Sequence, residues 1–125
     1  RSMTLRSAGM QRRDFITLHD VSRVVAHMIT LPTDKIGDGL FNVGSGKSLR
    51  VIDMVELIQA RCTELMGYVP EIIYPQSAQN EKSSNLDYCI DKLLSTGFTL
   101  RGNPLFEIDE TLRMCSQFGD SVANS

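Results

Sequence analysis

The stretch "LFNVGSGKSLRV", Leu40–Val51, shows how the chain is organised. An apolar run precedes a glycine turn, and the residues after the turn have helical periodicity, so the layout is strand, tight turn and helix. Gly46-Lys47-Ser48 matches the end of the phosphate-binding P-loop motif, but that motif needs a glycine where this chain has Phe41. We therefore interpret the stretch as a structural strand, turn and helix, with a P-loop nucleotide binder as a third-ranked alternative.

Helical patterns lie on both sides of this turn. Upstream, "DFITL" (Asp14–Leu18) is rich in β-branched and aromatic residues and predicts a strand. Asp20 is a residue type that caps helix N-termini, and the apolar periodicity after it continues to Pro32, where the helix is expected to end. Downstream, a long amphipathic helix begins near Val51, and Gly67 is suited to its C-terminal cap.

The rest of the chain continues the alternation of strands and helices. "EIIY" at 71–74 predicts a strand, a short helix is expected at 91–95, and a last amphipathic helix follows residue 104. The long polar loop at 75–85 is of a kind that often contacts ligands. Together these elements predict an α/β fold, a small and partly parallel sheet with flanking helices, within one domain at 1–125.

Composition excludes several classes of function. The net charge is −2 and 42% of the residues are apolar, so neither nucleic acid nor a membrane is an expected partner. Cys62, Cys89 and Cys115 are far apart and lack the CxxC spacing of metal or redox sites. We therefore expect no metal site, reduced thiols and a cytoplasmic location.

One further motif resembles catalytic chemistry. Tyr88 and Lys92 have the YxxxK spacing with which short-chain dehydrogenases align a phenol and an ammonium for proton transfer. The chain has no glycine-rich dinucleotide turn to hold a nicotinamide beside them. We interpret both as surface residues at the start of a short helix, and we expect no catalytic residue in the chain.

Taken in order, four segments resemble the C-terminal part of an extended short-chain dehydrogenase/reductase, of the NAD-dependent epimerase/dehydratase family that modifies nucleotide sugars. "RRDFITLHDV" (Arg12–Val21) is similar to its Arg-Asp-(Phe/Tyr) segment, and "GLFNVGSGKSLRVIDMVELI" (Gly39–Ile58) to its (Tyr/Phe)-Asn-(Val/Leu)-Gly-(Ser/Thr)-Gly strand and following helix. "LDYCIDKLLSTGF" (Leu86–Phe98) is similar to its Leu-Asp segment. The closing "PLFEIDETLRMCSQF" (Pro104–Phe118) is similar to the family's last helix. All these segments occur in the family's order, so the resemblance extends from residue 12 to residue 118.

The resemblance implies a set of substrate-binding residues. Arg13 matches the arginine that grips the pyrophosphate of the sugar nucleotide, Phe15 an aromatic residue beside the same ligand, and Val51 an apolar residue near the nucleotide. Asn80, or its neighbour Glu81, matches the acidic position that holds the ribose.

The resemblance also implies what lies outside these residues. The family's dinucleotide glycine motif and catalytic tyrosine and lysine precede the Arg-Asp-Phe segment, so the chain is expected to be the C-terminal portion of a Rossmann-type enzyme. The parent would use NAD or NADP, act on a nucleotide sugar as a homodimer, and owe its activity to residues elsewhere. This chain alone is expected to bind no cofactor and to be inactive.

An alternative of a different class stays open. Family members usually carry a second arginine on the loop before the Leu-Asp segment, and here no arginine lies between Tyr74 and Asp87. This departure favours a non-catalytic α/β module of the same descent, which binds a small anionic ligand or a partner protein.

Overall fold

The computed structural model describes residues 1–75 and 88–123, and at 118–123 it describes only the backbone. Within these residues the chain forms four short strands and five helices. In chain order, the elements are β1 (Ser2–Thr4), β2 (Arg12–Asp14), α1 (Leu18–Thr30), α2 (Thr33–Ile36), β3 (Ser48–Arg50), α3 (Val51–Met66), β4 (Glu71–Ile73), α4 (Asp91–Ser95) and α5 (Pro104–Ala123).

The strands form two separate pairs. β1 runs parallel to β4, with Met3 opposite Ile72. β2 runs antiparallel to β3, with Arg13 opposite Leu49. The prediction of an α/β fold with a small, partly parallel sheet and flanking helices is confirmed.

The predicted strand at Asp14–Leu18 is wrong in its position. β2 ends at Asp14, and Thr17 is the N-cap of α1, where its Oγ1 accepts a hydrogen bond from the backbone N–H of Asp20 at 3.1 Å. Asp20 was expected to be this cap. Its carboxylate instead accepts hydrogen bonds from a distant turn, so the capping task falls to the hydroxyl three residues earlier.

The apolar run before the glycine turn is also not a strand. Phe41 and Val43 are half-buried and pack against the core, while Leu40 and Asn42 are exposed, so the side chains alternate as they would in a strand. The backbone at 40–43 nevertheless has no ladder partner among the described residues. The pattern therefore identified the buried face correctly but could not supply a neighbouring strand.

The longest predicted helix is confirmed. α3 begins at Val51, and it ends before Gly67, whose φ of 71° gives the left-handed C-cap that glycine adopts without strain. The predicted helix at 91–95 is likewise confirmed as α4. No helix among the described residues has both the length and the apolar character needed to cross a bilayer.

The core lies between α1, α4 and the segment that follows α4. Val24, Leu93 and Phe98 are buried there. His27 completes the contact between α1 and this segment: its Nε2 lies 2.7 Å from Thr96 Oγ1 and its ring lies 5.5 Å from that of Phe98. The core therefore fixes α1 against residues some seventy positions further along.

A buried carboxylate ties α1 to the segment before α5. Asp20, only 3% exposed, accepts hydrogen bonds from the backbone N–H of Arg101 at 2.9 Å and of Gly102 at 2.8 Å. Arg23 adds a contact at 3.0 Å. A Cβ added to Gly102 would lie 1.8 Å from Thr17 Oγ1, so only glycine allows the turn to approach this closely.

These contacts set the ionisation of Asp20. Burial opposes the charged form, but the hydrogen bonds from Arg101, Gly102 and Arg23 outweigh it and hold the pKa of Asp20 below its usual range. Since the pKa is lower in the folded than in the unfolded chain, the carboxylate stabilises the fold above pH 4. This contribution is lost as the pH falls through the lowered pKa.

We predict that Asp20→Asn lowers the free energy of unfolding by about 2 kcal/mol near pH 7. The NH2 group of the new amide is a donor, and it would face one of the two backbone N–H donors that the carboxylate now accepts. The difference from wild type should shrink as the pH falls from about 7 to about 2.5. Urea unfolding at each pH measures it. Asp34→Asn, at an exposed position at the start of α2, is the control and should change little; a difference at Asp20 that is the same at every pH would contradict the prediction.

Candidate functional site

The β2–β3 pair presents two consecutive arginines on opposite faces. Arg12 is held by β3: its Nε donates to Ser48 Oγ at 2.9 Å and its Nη2 to the Ser48 carbonyl at 2.6 Å. Arg13 is exposed, and its Nη2 donates to Gln11 Oε1 at 2.9 Å. Within the described residues the guanidinium of Arg13 has no carboxylate partner, so it can meet an incoming anion.

Two of the other expected binding residues, Val51 and Phe15, adjoin this strand pair. Val51 is the first residue of α3, and its backbone N–H donates to the Gln11 carbonyl at 2.9 Å, which places it beside the start of β2. Phe15 directly follows β2 and is half-buried. Asn80 lies outside the described residues, so its role stays a prediction.

Phe15 does not stand on the strand but lines an apolar groove of about 290 Å³. The groove lies between the segment after β2, helix α3 and helix α5. Its lining is mostly apolar and includes three polar residues, Thr17, Glu107 and Thr111. The apolar lining residues are Phe15, Ile16, Met54, Ile58, Pro104, Ile108 and Leu112. Neither Arg13 nor Val51 lines it. The structure therefore brings Arg13 and Val51 to the strand pair and Phe15 to the adjoining groove.

Two carboxylates from α5 hold the walls of the groove together. Glu107 accepts hydrogen bonds from the backbone N–H groups of Leu18 and His19 at 2.8 and 2.9 Å. Its carboxylate therefore satisfies two N–H groups in the first turn of α1 that have no acceptor within the helix. Asp109 binds the guanidinium of Arg61 on α3 through two contacts, 2.6 and 2.7 Å long, and this pairing lowers the pKa of Asp109. Neither contact could be predicted from the sequence, because both join elements far apart in the chain.

The glycine turn that resembled a P-loop already holds an anion. Asp14 accepts hydrogen bonds from the backbone N–H groups of Ser45 at 2.6 Å and Gly46 at 2.9 Å. A phosphate would need these same donors. Lys47 is exposed and precedes β3 directly. The N–H groups of the turn are therefore not free to bind a nucleotide phosphate or the pyrophosphate of a dinucleotide.

The YxxxK pair is engaged elsewhere. Tyr88 packs over Gly44, while the Nζ of Lys92 donates to Asp38 and to the Leu40 carbonyl and lies 4.6 Å from the ring centre of Phe41. Lys92 thus serves as a link between α4 and the loop before the glycine turn. No cluster of metal-ligating side chains occurs within 1–75 and 88–117. Cys62, Cys89 and Cys115 are free thiols.

Comparison with known proteins gives two informative structural matches. The chain is similar to MlghC, a GDP-mannoheptose C4 reductase from Campylobacter jejuni solved with NADP bound (TM-score 0.60, 17% identity, 86% of this chain and 32% of that one). It is also similar to TunA, an NAD-dependent NDP-hexosamine 5,6-dehydratase involved in tunicamycin biosynthesis (TM-score 0.57, 26% identity, 87% of this chain and 33% of that one). No protein-family model and no curated protein matches.

The two matches agree with the resemblance drawn from the sequence. Both neighbours are nicotinamide-dependent enzymes of sugar nucleotides, and the resemblance to NAD-dependent epimerase/dehydratase enzymes with a Rossmann-type fold is confirmed. The chain spans about a third of the length of each neighbour.

We predict that the Arg61–Asp109 pair couples α3 to α5 energetically. A double-mutant cycle with Arg61→Ala and Asp109→Ala, read by urea unfolding, should give a coupling several times larger than the same cycle on Arg113 and Glu110. The second pair also lies on α5 but is about half exposed on both sides, whereas Arg61 and Asp109 are 18% and 14% exposed. Equal couplings for the two pairs would contradict this.

Proposed function

We propose that this chain is the substrate-binding portion of an NAD(P)-dependent enzyme that modifies a nucleotide sugar by epimerisation, dehydration or reduction. In this proposal the chain binds the nucleotide end of the substrate, while the cofactor and the groups that carry out the reaction belong to another part of a longer protein. The proposal is supported by the likeness to a reductase and a dehydratase of this substrate class, each about three times as long as the matched region.

The observation that carries the proposal is the contrast between Arg12 and Arg13. Arg12 is consumed by hydrogen bonds to Ser48, whereas Arg13 presents a guanidinium on the exposed face of the same strand. A planar fork with several N–H donors suits the oxygens of a diphosphate. Phe15, two residues after Arg13 in the chain, lines the apolar groove, which offers a surface for an uncharged part of the same ligand.

The alternative is a non-catalytic module that binds a small anion through the same arginine. It is favoured by one observation: no arginine occurs between Tyr74 and Asp87 to assist Arg13 on a second phosphate. The two proposals differ in the gene. Sequencing the transcript upstream of the Arg1 codon should show a dinucleotide glycine motif and a YxxxK pair if the enzyme proposal is right. A start codon at Met3 would contradict the enzyme proposal and favour the non-catalytic module.

We predict that Arg13→Ala in the whole protein weakens nucleotide-sugar binding by about 30- to 150-fold, the ~2–3 kcal/mol expected for losing a charge-assisted contact. Because Arg13 is exposed, its removal should leave the unfolding midpoint unchanged. Calorimetric titration with GDP and UDP, and the Michaelis constant for the sugar nucleotide, measure the effect.

Lys47→Ala is the matched control. Lys47 is likewise an exposed cation near the β2–β3 pair, and it is the residue on which a P-loop would depend. We expect it to leave affinity unchanged. A loss at Lys47 with none at Arg13 would overturn the proposed site and restore the P-loop interpretation.

We also predict that the 125-residue chain by itself shows no measurable affinity for NAD or NADP by calorimetry. The physical reason is that the N–H groups of its glycine turn are already bonded to Asp14. Binding in the micromolar range would contradict the assignment of the cofactor site to another part of the protein.

A further inference from the structure

Asp14 fills a backbone anion site from inside the chain. Ser45 and Gly46 are successive residues whose N–H groups converge on the two carboxylate oxygens, at 2.6 Å to Oδ1 and 2.9 Å to Oδ2. Such a pair of N–H groups forms a concave site that attracts an anion. Here the anion is the carboxylate of Asp14, the last residue of β2, so the glycine turn is bonded to the strand that carries Arg13.

The fit around this carboxylate is close. A Cβ added to Gly44 would lie 3.0 Å from Asp14 Oδ2 and 2.6 Å from Tyr88 Cδ1, so the turn approaches the strand as nearly as a backbone can. Gly46 has φ of 70°, a left-handed conformation that glycine adopts freely. The turn and the strand therefore have little freedom to slide on one another.

Arg12 and Asp14 fasten one face of β2, and Arg13 lies on the other. Successive side chains on a strand point to opposite faces, and the contacts agree: Arg12 binds Ser48 and Asp14 binds the turn, while Arg13 is exposed. β2 is only three residues long, so its own ladder contributes few hydrogen bonds. Gln11 Oε1 accepts a hydrogen bond from Arg13 Nη2, but Gln11 precedes the same strand, so the direction of Arg13 also depends on the two anchors that fix β2.

We infer that Asp14 is a positioning residue for the binding of a nucleoside diphosphate by Arg13. Asp14 does not touch the ligand; it holds the strand so that the guanidinium fork is aimed before the ligand arrives, which reduces the loss of side-chain freedom on binding. The inference rests on the proposed function for the identity of the ligand and on the geometry of β2 for the role of Asp14.

The test compares two identical substitutions. Asp14 and Asp20 each accept hydrogen bonds from two consecutive backbone N–H groups. The donors to Asp14 lie in the glycine turn beside β2, whereas the donors to Asp20 lie in the turn before α5. Asp14→Asn should weaken binding of GDP and UDP by about tenfold, since the amide opposes one N–H and loosens the strand. Asp20→Asn should leave affinity unchanged at equal or greater loss of stability. Asp14→Glu, which keeps the charge but displaces it, should also weaken binding and serves if Asp14→Asn does not fold.

A second measurement needs no ligand. ¹⁵N relaxation at the Arg13 Nε should show a lower order parameter in Asp14→Asn than in wild type, and no change in Asp20→Asn. If Arg13→Ala weakens binding while Asp14→Asn and Asp14→Glu do not, the inference is overturned and the proposed function stands. If wild type binds neither diphosphate, the proposed function fails; the Arg13 order parameter then decides whether Asp14 fixes the side chain, and an unchanged value overturns that too.

Discussion

Two carboxylates, each bonded to a pair of consecutive backbone N–H groups, hold this small fold together. Asp14 fastens the glycine turn at residues 45 and 46, and Asp20 fastens the turn at residues 101 and 102. In both places a neighbouring glycine, Gly44 or Gly102, leaves no room for a Cβ beside the carboxylate. A charged acceptor matched to two donors offsets its own desolvation, so a chain with short strands and a modest core gains two fixed points.

The same arrangement separates structural from functional charge. Asp14, Asp20, Arg12 and Arg61 are bonded to other elements of the fold, whereas Arg13 donates only to nearby Gln11 among the described contacts and keeps an exposed guanidinium. An arginine next to a half-buried anchor gains a defined direction without being neutralised, because alternation along the strand keeps it apart from the carboxylate. A ligand with spread negative charge is the partner that such a group suits best.

The sequence was sufficient for the features that depend on local chemistry. The periodicity after Val51 and the glycine at residue 67 fixed the bounds of α3, and the same reasoning placed α4. It was insufficient where the outcome depended on distant partners. Asp20 is of a residue type that caps helices, and nothing local reveals that the N–H donors to its carboxylate lie more than eighty residues away. Phe41 was predicted to lie in a strand because alternation alone does not reveal whether a ladder partner exists. At the site, Arg13 was predictable from the resemblance, whereas Asp14 and the groove formed by α5 became visible only in three dimensions.

The separation of Asp20 from its donors also bears on how the chain is made. Arg101 and Gly102 follow it by 81 and 82 residues, so on the ribosome α1 is complete long before its buried carboxylate has partners. Until they emerge, the charge has to stay hydrated, and α1 has to wait to bury the face that carries it. Long-range contacts of this kind slow folding, because a large loop must close before they form. Burial of Asp20 therefore has to follow synthesis of the turn before α5, and the contacts that Glu107 and Asp109 make with α1 and α3 come later still.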